Sequence, residues 1–459
     1  MNKTKRPVLH FTPPQGWLND PNGLFHLNGV YHLFYQYHPH SLKWGPMHWG
    51  HATSRDLVHW THQPVALDPD EQGMIFSGSA AVDLENASGF GDTGQTPVLL
   101  LFTHHGEQQQ QGIAWSVDGI HFTKHIGNPV IPNPGITDFR DPKLFRNPVK
   151  GGWSCVVASG DHVRFYHSTN FVDWTETGRF GQAGNPCPGI WECPDLFPLT
   201  TPDGSVAWVL LGSMILSGEV NSHRTQYLTG TFDGDTFLPT EPSAPVRWLD
   251  AGFDHYAGVT FDNHPDRILM AWASAWPYAG DVPASSWRGM MTLARRLRLH
   301  ATDAGLMLAS EPVLPAHPDL GTLDTSRLKD GAALPAGAIH LQADCTGPFT
   351  LTMENSLGDR LVFGLSGTDW FADRSGAGDS SFSEAFRQPC FSQATAPRAM
   401  PLPGRLDVLL DGTLLELFAD NGVFSCTMAV FPHAPYDRLR IEGMVVCHGM
   451  TLQACPPPA

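Results

Sequence analysis

Ser54-Arg55-Asp56-Leu57-Val58-His59-Trp60 carries the pattern on which the architecture turns. Its spacing, Ser-x-Asp/Asn-x-x-x-aromatic, returns at Ser116…Asp118…Phe122 and at Ser168…Asn170…Trp174. A looser version follows at Phe232-Asp233-Gly234-Asp235-Thr236-Phe237. Each copy is a polar turn followed by an aromatic that anchors a hairpin, and the copies recur at intervals of roughly fifty to sixty residues. Repeating units of that size, each made of several short strands, point to propeller blades. The chain up to about residue 300 has room for about five or six of them.

Working outward, the segments between these turns read as strands. Gly29-Val30-Tyr31-His32-Leu33-Phe34-Tyr35-Gln36-Tyr37, Val98-Leu99-Leu100-Leu101-Phe102-Thr103 and Val206-Ala207-Trp208-Val209-Leu210-Leu211 are rich in β-branched and aromatic residues and bounded by turn formers. The one stretch near the middle with helical character is short and mixed, 290–299. After His300 the texture changes. Pro312, Pro315 and Pro318 mark a linker, placed at 301–320. Beyond it the alternation is cleaner, as in Ala338-Ile339-His340-Leu341-Gln342-Ala343 and Phe349-Thr350-Leu351-Thr352-Met353. Asp411-Gly412 and Asn421-Gly422 are strong hairpin signals in an antiparallel meander. The expectation is an all-β chain with a propeller domain over 1–300, the linker, and a β-sandwich over 321–459 in which nothing looks catalytic.

Composition narrows the chemistry. A chain of 459 residues exceeds one ordinary core. The formal net charge of −17 argues against nucleic acid or an anionic membrane as partner and suits a neutral small molecule or polymer. The eight cysteines are scattered, with no CxxC or Cys/His metal spacing, so reduced thiols and no metal are expected. No apolar h-region follows the basic start and no run of eighteen apolar residues occurs, which gives a cytoplasmic expectation.

Three acids stand in turn-like, aromatic-rich settings. They are Asp20 in Trp17-Leu18-Asn19-Asp20-Pro21-Asn22-Gly23, Asp141 in Asp138-Phe139-Arg140-Asp141-Pro142-Lys143, and Glu192 in Trp191-Glu192-Cys193-Pro194-Asp195. Glycoside cleavage needs an ionised carboxylate as nucleophile and a carboxyl group that gives and takes a proton, in environments that set the two apart. Pro21 and Asn22-Gly23 should hold Asp20 at the end of an element, ionised among Asn19, Asn22 and turn amides. Asp141, beside Arg140 and near Lys143, should be firmly ionised and suited to binding hydroxyls. Glu192, between Trp191 and Cys193-Pro194, sits in an apolar setting and is the one suited to carry a proton.

With these residues in view, the chain resembles glycoside hydrolase family 32, the β-fructofuranosidases. The three acidic motifs look like that family's signatures. The resemblance also takes in Phe34-Tyr35-Gln36-Tyr37, Trp44-Gly45-Pro46-Met47-His48-Trp49-Gly50-His51, Phe76-Ser77-Gly78-Ser79-Ala80, Tyr256-Ala257-Gly258-Val259-Thr260, Trp287-Arg288-Gly289-Met290-Met291-Thr292 and, in the second domain, Leu415-Glu416-Leu417-Phe418-Ala419-Asp420-Asn421-Gly422. It implies a five-bladed propeller bearing the active site and a β-sandwich after it. It further implies that Asp20 is the nucleophile, Glu192 the acid/base and Asp141 the transition-state stabiliser. Asn19, Gln36, Trp44, Ser77, Arg140, Tyr256 and Trp272 would bind substrate, with no cofactor. A nucleophile and acid/base of a retaining enzyme should stand about 5–5.5 Å apart.

Three departures from the family pattern bear on the leaving-group side. Ala275 stands where Asn is usual in Trp272-Ala273-Ser274-Ala275-Trp276, Ala294 replaces the usual Pro, and the stretch 218–224 is less glycine-rich. Sucrose and short fructo-oligosaccharides rank first as substrates and long levan or inulin second. Sucrose 6-phosphate ranks third, because no Lys/Arg cluster accompanies the motifs. A fructosyltransferase would use the same residues, whereas a sugar-binding lectin would have lost a carboxylate, and all three are present.

Overall fold

The computed structural model describes residues 6–182, 185–216, 218, 223–314, 331–443 and, for the backbone alone, 448–455. Five sheets succeed one another along the chain, each built on a four-strand antiparallel meander that runs from an inner strand outward; Trp287–Arg288 adds a parallel strand to the first and Arg247–Trp248 a short strand to the fourth. The inner strands are Gly16–Leu27, Met74–Val82, Phe139–Arg146, Ile190–Thr200 and Tyr256–Thr260. They pack side by side in a ring, and the last returns to the first. That closure is made of backbone bonds: His26 N–H donates to the Asp262 carbonyl (3.0 Å) and Asp262 N–H to the Leu24 carbonyl (2.9 Å). This is a five-bladed β-propeller.

The repeated sequence turn does the same work in three blades. Ser54 Oγ accepts the amides of Asp56 (3.2 Å) and Leu57 (2.9 Å), and Asp56 Oδ1 accepts those of Val58 and His59. Ser116/Asp118 and Ser168/Asn170 repeat the arrangement. Each joins the third strand of a blade to the outermost one, and the residue after the Asp or Asn takes a positive φ: Leu57 (68°), Gly119 (73°) and Phe171 (65°). In the fourth blade Asp233 alone caps Asp235 and Thr236, both at 2.8 Å.

A β-sandwich follows, a six-stranded sheet facing a five-stranded one across a core that includes Leu351, Phe363, Trp370, Leu417 and Met428. Asp411-Gly412 and Asn421-Gly422 sit at the two hairpins joining Gly404–Asp411, Leu414–Ala419 and Phe424–Ala429. The sandwich docks on the last blade through buried ions. Arg295 donates to Asp250 (2.8 Å) and to Glu416 (2.5 Å), and His10 lies between Asp411 (2.9 Å) and Glu416 (3.0 Å). Among the described residues no helix is long and apolar enough to cross a membrane.

Two expectations need correction. Residues 290–299 are not helical: 295–299 belong to strand Arg295–Thr302, which pairs with Gly305–Pro312 to complete the fifth blade. That hairpin also claims 301–312 from the expected linker, because the last blade's outer strands bury Leu297, Leu299 and Leu308 against Val209, Leu211 and Tyr227 of the fourth blade. The one α-helix among the described residues is the single turn Trp276–Ala279. Pro315, Pro318 and the rest of 315–330, most of 218–224, and Cys447 lie outside the described residues.

Candidate active site

All five inner strands break register at one level of the ring. The breaks fall between Leu18 and Pro21, Phe76 and Gly78, Arg140 and Lys143, Glu192 and Asp195, and Tyr256 and Val259. A bulge bends its strand and re-aims the side chain next to it. The cause is local: Pro21, Pro142 and Pro194 have no N–H to give the ladder. Asp141, Cys193 and Ala257 adopt φ of 61°, 43° and 55°, a conformation costing about 1–3 kcal/mol each unless the surroundings over-determine it. Here they do. Asp141 N–H donates to Thr103 Oγ1 (3.0 Å), Cys193 N–H to Asp141 Oδ2 (2.9 Å) and Ala257 N–H to Ser213 Oγ (3.0 Å).

Asp20 therefore lies inside a strand, not at the end of one. The Pro21 and Gly23 that read as a reversal interrupt the ladder instead. Gly23 at φ 53° is required there, since a Cβ would come within 2.8 Å of the Phe34 and Trp49 rings.

The bulges bring the three acids together. Asp20 Oδ2 accepts Ser77 Oγ–H (2.7 Å) and Oδ1 accepts Asn19 Nδ2–H (3.0 Å). Asn19 is fixed in turn by Trp17 Nε1–H (2.8 Å). The Cys193 thiol stands 3.6 Å from Asp20 Oδ2 and 3.6 Å from Asp141 Oδ2. Glu192 Oε1 accepts Arg140 Nε–H (3.2 Å) and Nη2–H (3.1 Å), while Oε2 accepts Tyr256 Oη–H (2.6 Å). Arg140 also pairs with Asp138 and approaches Asp141 (4.0 Å).

Three carboxylates thus share one guanidinium, and the electrostatics differ from the sequence expectation. Burial pushes the Asp141 carboxyl up to about 7; Arg140 opposes the rise, and the charges of Glu192 and Asp20 add to it. The Asp20 carboxyl is also raised, by burial first and by Glu192, against the hydrogen bonds from Ser77 and Asn19. Neither is the freely ionised group expected from its neighbours in sequence. Lys143 does not support Asp141, because its Nζ pairs with Asp195 (3.0 Å). Glu192 is not in apolar surroundings either. Trp191 points the other way, into the core between the third and fourth blades, and Glu192 faces Arg140 and Tyr256. Burial and the adjacent Glu192 raise the Tyr256 hydroxyl, which stays a neutral donor.

Of the expected binding residues, Asn19, Ser77, Arg140 and Tyr256 contact the acids directly. Trp44 is 42% exposed and edge-on to Phe76 (5.8 Å), whose ring stacks on His105 (4.2 Å), forming an aromatic wall. Gln36 is buried and its Nε2–H is given to the Ile75 carbonyl (3.0 Å). Trp272 is fully buried against Trp17 and Trp276, so it supports the pocket from behind and does not line it. Sequence reasoning missed Thr103, Gln109, Ser213 and the Cys193 thiol. Gln109 accepts from Arg140 (3.3 Å) and Phe139 N–H (2.9 Å), but nothing in its local sequence marks it. Among the described residues no group of three or more His, Cys, Asp or Glu side chains is disposed to hold a metal ion.

Chemically, the arrangement offers one carboxylate held by a hydroxyl and an amide, a second held by a guanidinium and a phenol, and a third between them. Such a set can supply an attacking group, a proton carrier and a binder of sugar hydroxyls.

Residues 10–312 match the glycosyl hydrolases family 32 N-terminal domain and 318–449 the glycosyl hydrolases family 32 C terminal. The chain is 40% identical to a levanase of Bacillus subtilis over 93% of its own length and 66% of that protein. It is 33% identical to an extracellular exo-inulinase of Aspergillus niger over 93% of this chain and 89% of the relative. The crystal structure of exo-inulinase from Aspergillus awamori superposes with a TM-score of 0.86 at 28% identity, covering 98% of both chains. A β-fructofuranosidase from Schwanniomyces occidentalis, complexed with fructosyl-erythritol, also gives 0.86, at 27% identity over 98% of this chain and 97% of the other. The chain belongs to glycosyl hydrolase family 32.

Proposed function

We propose that the protein is a retaining, exo-acting β-fructofuranosidase in which Asp20 is the nucleophile, Glu192 the acid/base and Asp141 the binder of fructosyl hydroxyls. The carrying observation is the convergence of the three acids at aligned bulges, with Asp20 steadied by Ser77 and Asn19 and Glu192 by Arg140 and Tyr256. Asp20 attacks the anomeric carbon of a terminal β-fructosyl unit as Glu192 gives its proton to the leaving oxygen. Glu192, now a carboxylate, takes a proton from water, which attacks the same carbon and frees Asp20, so configuration is retained. Arg140 and Tyr256 orient the Glu192 oxygens for both transfers, and the neutral Tyr256 hydroxyl follows the charge as it appears.

Sucrose and short fructo-oligosaccharides rank first as substrates. The levanase and exo-inulinase relatives favour long fructans as the second reading. Sucrose 6-phosphate fits poorly, because Arg140, the cation at the acids, is already engaged by Asp138 and Glu192. Kinetics on sucrose, 1-kestose, inulin, levan and sucrose 6-phosphate side by side test the ranking. The highest kcat/KM on sucrose or 1-kestose supports it, and a preference for levan or inulin replaces it with the second reading. The product ratio at high sucrose separates hydrolysis from fructosyl transfer. A cytoplasmic location is part of the proposal, supported by the free thiols of Cys155, Cys193, Cys390 and Cys426.

A further inference from the structure

Lys143 and Asp195 are a buried ion pair that no step above uses. Lys143 lies two residues after Asp141 and Asp195 three after Glu192, and their side chains are 7% and 0% exposed with Nζ and Oδ2 3.0 Å apart. The same Oδ2 accepts the Thr260 N–H (2.7 Å) and Oγ1–H (2.8 Å), and Lys143 Nζ donates to the Thr260 carbonyl. Thr260 lies four residues after Tyr256. One carboxylate oxygen therefore joins the inner strands of the third, fourth and fifth blades just past the bulges that carry Asp141, Glu192 and Tyr256.

Those strands belong to separate sheets, so no β-ladder sets their relative heights. Apolar packing between them is non-directional and tolerates sliding, whereas an ammonium set against one carboxylate oxygen does not. A buried pair is a weak device for stability, and replacement by well-packed apolar groups is often neutral, so its use here lies in register. Two contacts at the pocket level depend on that register: Cys193 N–H on Asp141 and Arg140 on Glu192.

We propose that the Lys143–Asp195 pair, tied to Thr260, is a positioning element of the reaction that holds the Glu192 carboxyl at proton-transfer distance from the leaving oxygen. The proposal rests on the assignment of Glu192 as the acid/base.

The test compares kcat/KM, which reports the first displacement, on sucrose, whose leaving group needs a proton, and on 4-nitrophenyl β-D-fructofuranoside, whose leaving group does not. Glu192→Gln is the benchmark. It should lose far more on sucrose than on the aryl fructoside, and an equal loss on both refutes the acid/base reading itself. Given that benchmark, Lys143→Met and Asp195→Asn should lower kcat/KM on sucrose about 100-fold, the scale of a misplacement of about 1 Å. Their aryl-to-sucrose ratio should rise at least about tenfold. Asp254→Asn breaks the buried pair with Arg374 at the domain interface and should leave the ratio at the wild-type value, even if the protein melts earlier. Thr260→Val removes one donor from Asp195 and keeps the pair, so it should shift the ratio in the same direction by less. Folded Lys143→Met or Asp195→Asn enzyme with an unchanged ratio overturns the proposal. If neither variant folds, an unchanged ratio in Thr260→Val overturns it.

Discussion

Cys193 N–H donates to the Asp141 carboxylate at 2.9 Å, so the backbone immediately after Glu192 is bonded to the acid of the neighbouring blade. A side chain and a main chain from different sheets thereby share one fixed point, and Cys193 accepts a φ of 43° to reach it. The contact sets the spacing of two acids without a ladder bond between their strands. Burial above all, with the charges of Glu192 and Asp20 added, holds the Asp141 carboxyl up at about 7 against Arg140 and this hydrogen bond.

Asp141→Asn should stabilise the protein while inactivating it. The Asp141 carboxyl ionises at about 7 in the fold against 3.8 ordinarily, so its ionisation costs stability increasingly as pH rises from about 4 to 7, and fully above that. Asn keeps the acceptor for Cys193 and removes the charge. Calorimetry at pH 7–8 should show a gain of about 1–2 kcal/mol that fades toward pH 4, with sucrose turnover down about 100-fold or more.

Tyr256→Phe deletes the 2.6 Å hydrogen bond to Glu192 Oε2. A bond to a charged acceptor in a buried site is worth about 1.5–3 kcal/mol, so kcat should fall about 10- to 100-fold. Steady-state kinetics check this, and KM should move much less than kcat.

Gly212 faces Trp191 so closely that a Cβ would sit 2.3 Å from its ring. Gly212→Ala must displace Trp191, and Glu192 is bonded directly to it in the chain. Overpacking of this kind costs about 1–3 kcal/mol. We expect a lower melting temperature together with a loss of kcat, whereas Gly204→Ala, at a position with open space around it, should leave turnover unchanged.

The docking of sandwich on propeller should weaken in alkali. His10 is buried, and although burial alone lowers its pKa, the hydrogen bonds and charges of Asp411 and Glu416 outweigh that and raise it to about 9. Its contribution is fully present below about pH 6.5 and is lost as pH rises through 9. At the other limit His32, lowered to about 4 by burial, costs stability as pH falls below about 6.5. Melting temperature against pH should form a dome, and His10→Gln should flatten its alkaline side by about 2–3 kcal/mol.

Much of this was legible in residues with local consequences. The Ser54, Ser116 and Ser168 turns announced the blades because side-chain capping of nearby amides is encoded within four residues. Asp20, Asp141 and Glu192 stood out by their setting, and the structure gathers them. What failed was inference from chain neighbours. Trp191 lies beside Glu192 in sequence yet faces the opposite side of its strand, so it says little about the acid's surroundings. Lys143 follows Asp141 closely, but the bulge between them sends its ammonium to Asp195. Pro21 and Gly23 form a turn in one context and a bulge in another, and only ring closure decides between them. Residues 301–312 read as a linker because Pro312, Pro315 and Pro318 punctuate the segment, whereas their role as an outer hairpin depends on the partner strand Ile268–Trp272.

The central claim is a covalent fructosyl–Asp20 intermediate resolved by Glu192. With Glu192→Ala and 4-nitrophenyl β-D-fructofuranoside, the first step needs no acid while the second lacks its base, so the intermediate should accumulate. Acid quench, proteolysis and mass spectrometry should find one fructosyl residue on the peptide containing Asp20, absent in Asp20→Ala. A burst of nitrophenol with no adduct on Asp20, or with the sugar on Asp141, would contradict the account.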